Sequence, residues 1–122
     1  MHGASFIEHK GRQVVLLDFQ GLKGVDVAMP IIEQAGRFVQ ATPADGASLT
    51  CTDVRDTKYD RQIVDAFKQM TKANRPHVKA AAVVSDSPLH RAAISMIALF
   101  SRRKIEVFDS RERALDWLIA QP

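Results

Sequence analysis

Three aspartates, Asp18, Asp53 and Asp86, stand at or near the ends of three apolar runs, Gln13–Phe19 (QVVLLDF), Ser48–Val54 (SLTCTDV) and Val78–Ser85 (VKAAAVVS). If those runs are parallel strands, the carboxylates gather at one end of a sheet, where open α/β sheets bind ligands. Such a cluster could hold Mg²⁺ through oxygen ligands, with Ser85 supplying a hydroxyl. A phosphoacceptor site asks for more. It wants a second acid beside Asp18, where Phe19 stands, and a lysine after the last strand, where the chain reads Phe108-Asp109-Ser110. The pattern fails at both places. Aspartates that cap loops and helix starts are the ordinary alternative.

Other reactive types are scattered. His2, His9, His77 and His90 lack metal-ligand spacing. Cys51 lies mid-strand on the face of Leu49, as a small buried thiol would, and no base is indicated beside it. There is no GxSxG, P-loop or GxGxxG. Gly21-Leu22-Lys23-Gly24 follows a strand instead of joining two helices, so it does not fit a phosphate clamp. No metal and no cofactor is expected. Ser101-Arg102-Arg103-Lys104 is the densest basic run, at a helix end where cations suit the macrodipole. Most of the Phe, Trp and Tyr residues fall on core stripes or strands, which argues against nucleic acid.

The segment Asp53–Asp60 (DVRDTKYD) is different. It packs three acids, two bases, a hydroxyl and a tyrosine into eight residues. A packing loop does not need that density, and an exposed loop at a helix start is a usual place for function. Asp53, Asp56, Thr57, Tyr59 and Asp60 are the candidate binding residues. Thr57 is expected to be exposed, its hydroxyl facing the free N–H groups of a helix starting near Asp60.

The elements that would position these groups follow from periodicity. Ser5–Glu8 reads as a short edge strand, and His9-Lys10-Gly11-Arg12 as a tight turn into the strand Gln13–Phe19. Ile31, Ile32, Ala35, Phe38 and Val39 form a helical stripe, with Pro30 expected at the first helical position. After the strand Ser48–Val54 comes a helix bearing Ile63, Val64, Phe67 and Met70, stopped by Asn74-Arg75-Pro76. The strand Val78–Ser85 leads to Ser87-Pro88, an N-cap and first helical residue. The stripe behind it is Leu89, Ala92, Ala93, Met96, Ile97 and Phe100. Ile105–Phe108 is the last strand. Asp109 to Glu112 has capping-box spacing, with Asp109 as cap, and opens a helix carrying Ala114, Leu115, Leu118 and Ile119. Trp117 is expected to pack with that face onto the sheet. The order β-β-α-β-α-β-α-β-α predicts an α/β fold with a mostly parallel five-stranded sheet.

Composition sets the frame. With 122 residues, 46% apolar and 25% charged, the chain is one domain over 1–122 and is not disordered. No apolar run reaches a membrane span, the start lacks a secretory segment, and a single cysteine suits a reducing cytoplasm. Net charge is +3, unevenly spread: five Lys/Arg against seven Asp/Glu in 1–57, twelve against seven in 58–122. Complementary halves could favour a homodimer.

Several motifs in order resemble a known family. They are Val15-Leu16-Leu17-Asp18-Phe19-Gln20-Gly21-Leu22-Lys23, Asp53-Val54, Asn74-Arg75-Pro76-His77-Val78 running into Lys79–Val84, and Val107-Phe108-Asp109 with Arg113-Ala114-Leu115-Asp116-Trp117-Leu118. Together they resemble the SpoIIAA-like family, part of the STAS grouping and related in fold to CRAL-TRIO lipid-transfer domains. The resemblance implies a mixed sheet with near-sequential strand order. STAS-type anti-sigma-factor antagonists carry a phosphorylatable serine in a DSSG-like turn. Here the corresponding turn reads Asp56-Thr57 with no glycine after it.

The expected function is a non-enzymatic binding or regulatory domain, recognising a protein partner through the Thr57 loop and the helix after it. One alternative is a small-molecule or lipid carrier, with Arg91 or Arg102 holding an anionic group. The other is a hydrolase or phosphatase using Asp18 and Asp53.

Overall fold

The computed structural model describes residues 2–58, 60–101 and 105–122, with Leu89, Phe100 and Ser101 described by their backbone alone. Two strands open the chain, β1 (Gly3–His9) and β2 (Arg12–Asp18), paired antiparallel. The two-residue turn between them needs positive φ at both positions. Lys10 sits at 50° and Gly11 at 86°. Such a turn carries the twist of the strands it joins, and glycine takes it without strain. The edge strand therefore runs longer than the Ser5–Glu8 expected.

From β2 the chain alternates through α1 (Val25–Gln40), β3 (Ser48–Asp53), α2 (Arg61–Asn74), β4 (Val78–Val84), α3 (Pro88–Ser101), β5 (Ile105–Phe108) and α4 (Arg111–Ile119). A short 3₁₀ turn, Arg75–His77, joins α2 to β4. The sheet order is β1-β2-β3-β4-β5, with the last four strands parallel. Each parallel strand lies beside the one before it. There is no strand-order reversal, so the crevice that such a reversal opens is missing.

The sheet buries both faces, as the unbroken apolar runs of β2 and β4 require. Val15, Leu17 and Val83 meet Ile32, Val39, Ile63, Phe67, Ile94 and Ile97 of α1, α2 and α3. Val14, Leu16, Leu49, Cys51, Ala82 and Val84 meet Ala114, Leu115 and Leu118 of α4. Cys51 shares a face with Leu49, as expected. Trp117 stands half-buried at the edge of this layer, its ring 5.7 Å from that of Phe108.

Three local expectations need correction. Helix α1 starts at Val25, not at Pro30, so the proline lies inside it. Its missing N–H falls on the exposed face, where water can take the freed carbonyl, while Ala28 and Ile32 stay buried on either side. Gly36, also buried, lets α1 approach α2: a Cβ there would stand 3.2 Å from Met70 Cγ. In α3 the core residues are Ile94 and Ile97, whereas Ala92 and Met96 are exposed. Arg91 and Ser95 mark the outer face of that helix, but Ala92, Met96 and Leu99 continue that face with apolar residues, so the apolar spacing by itself does not fix its rotation. Leu89 and Phe100 of the expected stripe have no described side chain. At α4 the cap is Ser110, whose Oγ accepts from Arg113 N at 3.3 Å. Asp109 pairs with Arg113 Nη1 instead, at 3.1 Å.

Candidate functional site

The carboxyl ends of β2, β3 and β4 do bring polar groups together. Asp53, the last residue of β3, is fully buried. A buried carboxylate must be paired or neutral. Its partner on one side is local. Arg55 turns back, so that its backbone N and Nε reach Oδ1 at 3.1 Å and its Nη2 reaches Oδ2 at 2.8 Å. On the other side is Arg111, the first residue of α4, whose Nε donates to Oδ2 at 2.6 Å. Arg111 also reaches Asp18 Oδ2 at 3.1 Å from the end of β2. Two arginines and two aspartates thus tie β2, β3 and α4 into one lattice.

The electrostatics follow from that geometry. Burial alone would raise the Asp53 carboxyl, but the hydrogen bonds from Arg55 and Arg111 outweigh it and hold it below the usual carboxylate range. Both guanidiniums are held protonated more firmly than usual, Arg111 against its own burial. One residue pair away, burial pushes the Cys51 thiol up to about 12, with the Asp53 charge adding to it. A thiol so placed is a core group, not a nucleophile.

The loop after β3 is clamped as well. Gly21 N donates to Arg55 O at 3.0 Å and Lys58 N to Leu22 O at 3.2 Å, so the loop lies along the β2–α1 connection. Thr57 faces inward. It is buried, and its hydroxyl donates to Phe19 O at 3.1 Å. The expected exposed hydroxyl facing a helix start is therefore corrected: the loop folds back over β2 and takes Thr57 with it. The α2 terminus is served by Asp60, whose Oδ1 accepts from Ile63 N at 2.9 Å. Asp56 is the loop's outward acid, held at φ 55° and paired with Lys23 at 3.0 Å. Lys58 is exposed too. Tyr59 lies outside the described residues.

Of the candidates, then, the structure gathers Asp18, Asp53, Asp56, Thr57 and Asp60 around one loop; Asp18, Asp53, Thr57 and Asp60 are held by bonds to Arg111, Arg55, Phe19 O and Ile63 N, and Asp56 pairs at the surface with Lys23. Asp86 is exposed at the end of β4, near enough to Arg55 to favour its charge. Arg91 is exposed on the first turn of α3, and Arg102 lies outside the described residues. Arg111 and Arg55 were not among the expected site residues. Arg55 carried a signal, two residues from Asp53; Arg111 carried none, because only the topology puts α4's first turn against β3. Among the described residues no group of three or more His, Cys, Asp or Glu gathers as for a metal. No described helix is long and apolar enough to cross a membrane.

A second feature lies on the other side of β3. Between α2, α3 and the sheet is a cavity of about 40 Å³, lined chiefly by Leu17, Phe67, Met70, Ile94, Ile97 and Ile105.

The comparisons agree with this architecture. No curated protein matches the chain. A crystal structure from Shewanella loihica PV-4, described as an uncharacterised protein from the DUF3478 family with a SpoIIAA-like fold, superposes with a TM-score of 0.69 at 16% identity. The alignment covers 97% of this chain and 95% of that one. The SpoIIAA-like family profile matches residues 4–119. The chain belongs to the SpoIIAA-like family.

Proposed function

We propose that the chain is a non-enzymatic binding domain that recognises a protein partner through the loop after β3 and the start of α2. The observation that carries this reading is the clamping of the loop. Arg55, Thr57, Lys58 and Asp60 each spend a bond on fixing its backbone. The side chains left outward, Asp56, Lys58, Arg61 and Gln62, are then displayed from a rigid frame. A preordered loop loses little conformational freedom on binding. The chemistry nearby supports a non-catalytic role: both Asp53 oxygens are occupied by guanidinium groups, and the thiol of Cys51 is held protonated.

A photo-cross-linking side chain at position 58 tests the reading, with one at position 33 on exposed α1 as the control. The reading expects a discrete adduct in cells from position 58 and none from position 33. Equal patterns from both would refute it.

The cavity under α2 and α3 favours a second reading, a carrier of a small apolar molecule. At about 40 Å³ it holds no such ligand as it stands, so α3 would have to move outward. Native mass spectrometry of the purified chain separates the two: retained mass that Ile97→Trp abolishes favours the carrier.

A further inference from the structure

Crossover helices run against their strands, so α2 and α3 both finish at the amino end of the parallel sheet. That end differs from the carboxyl end just described. Lys72 and Arg75 close α2, and Lys79 opens β4, all exposed. Lys79 lies where the β3–β4 register shifts, between Val78, which packs on the α2–α3 layer, and Ala80, which packs on the α4 layer. The end of α2 and the second half of α3 line one cavity through Thr71, Asn74 and Ile97, and on that half of α3 Met96 is 57% and Leu99 80% exposed. Large aliphatic side chains left in water beside a group of cations mark an interaction surface. Of the acids at this end, Asp45 lies in the loop that meets the Arg75–Pro76 turn through the bond from Gly46 N to Pro76 O at 3.0 Å, and its carboxylate accepts from Ala47 N at 3.1 Å; Glu106 stands level with Ala82 on the α4 face, and Asp116 pairs with His9 and Lys10 at the β1–β2 turn.

We propose that this end of the domain docks on an anionic lipid surface, with Met96 and Leu99 entering the headgroup–acyl boundary and Arg75 and Lys79 meeting the lipid phosphates. Aliphatic residues flanked by cations suit such an interface. A second copy of the chain suits this patch less, because a two-fold contact through it would bring the cations of both copies into one interface. Nucleic acid would call for aromatic stacking surfaces among the cations, and among the described residues the large exposed side chains of α3 are the aliphatic Met96 and Leu99. The proposal is independent of the partner loop, which lies at the opposite end of the sheet. Arg102, Arg103 and Lys104 lie outside the described residues, and the surface is assigned without them.

Co-sedimentation of the full chain with vesicles tests this. Phosphatidylcholine vesicles are compared with vesicles that also contain phosphatidylglycerol. Binding is expected only to the second kind, and it should fall as salt is raised. Neutralising two interfacial cations, Arg75→Gln with Lys79→Gln, should lower partitioning by about thirtyfold at roughly fivefold per cation. Met96→Ser with Leu99→Ser should weaken binding and leave its salt dependence in place. All four residues are exposed, and circular dichroism melting confirms that the variants fold. No binding, equal binding to both kinds of vesicle, or binding unchanged in both variants would overturn the proposal. So would a doubled mass without vesicles that Leu99→Ser abolishes, which would make the surface a contact between copies.

Discussion

Arg111 Nε lies 2.6 Å from Asp53 Oδ2, across 58 residues of sequence. This bond joins the first turn of α4 to the last residue of β3. It gives the acidic end of the sheet a structural part: the carboxylate secures a helix on one face and, through Arg55, a loop at the strand end. An acid expected to face a ligand instead faces two guanidiniums.

Removing one partner should therefore cost stability. Breaking a fully buried ion pair costs about 3–5 kcal/mol, but Arg111 is about one-third exposed and Arg55 remains, so Arg111→Gln is expected to cost about 1–3 kcal/mol. Asp53→Asn leaves Arg55 without its anion and Arg111 with Asp18 alone, and should cost at least as much. The double variant should lose less than the sum, because the two changes remove one interaction. Urea unfolding of the four proteins measures this; strict additivity would show that the bond does not couple the two residues.

Acid should release the same lattice. Asp53 has its carboxyl depressed in the folded state, so its contribution is present above the unfolded carboxyl value of about 4 and is lost as pH falls through the lower folded value. Stability should drop below about pH 4, and Asp53→Asn should flatten that drop. Melting midpoints measured across this range check the sign. An Asn variant with an unchanged acid limb would place the linkage elsewhere.

Packing around Trp117 gives a third expectation. The ring is half-buried against Phe108 and at the edge of the α4 layer. Full truncation of a buried Trp costs about 3–5 kcal/mol, so Trp117→Ala should cost about 2–3 kcal/mol at this partly exposed site. An unchanged melting midpoint would mean that the indole does not hold α4 to the sheet.

Cys51 should be inert in the native state, with its thiol held up at about 12 by burial. A thiol reagent should modify it only as fast as the protein unfolds. Rapid stoichiometric labelling of folded protein would contradict its placement beneath α4.

Much of the fold was legible because its signals are local. Lys10-Gly11, the run Val14–Leu17, the stop at Asn74-Arg75-Pro76 and Ser87-Pro88 each specify their element within a few residues. Three things were not. Pro30 argued for a late start of α1, yet the burial of Ala28 outweighs the lost hydrogen bond. Helix α3 carries apolar residues on its outer face as well, Ala92, Met96 and Leu99 beside Arg91 and Ser95, so apolar spacing alone did not separate Met96 from Ile94. Thr57 looked exposed because its loop is polar, and only the bond to Phe19 O explains why it is buried. The lattice was half legible: the strand-end position of Asp53 shows in the sequence, whereas its union with Arg111 depends on topology.

The central claim is that the clamped loop after β3 is the recognition surface. The most direct measurement is recovery of partner proteins from the source cell by the wild-type chain and by the charge reversal Asp56→Lys with Lys58→Glu. Both residues are exposed, so the variant should keep its fold, which melting confirms. Glu33→Lys on α1 serves as the control. The account predicts a partner retained by wild type and control and lost by the loop reversal. The same partners recovered in the same amounts by all three would contradict it.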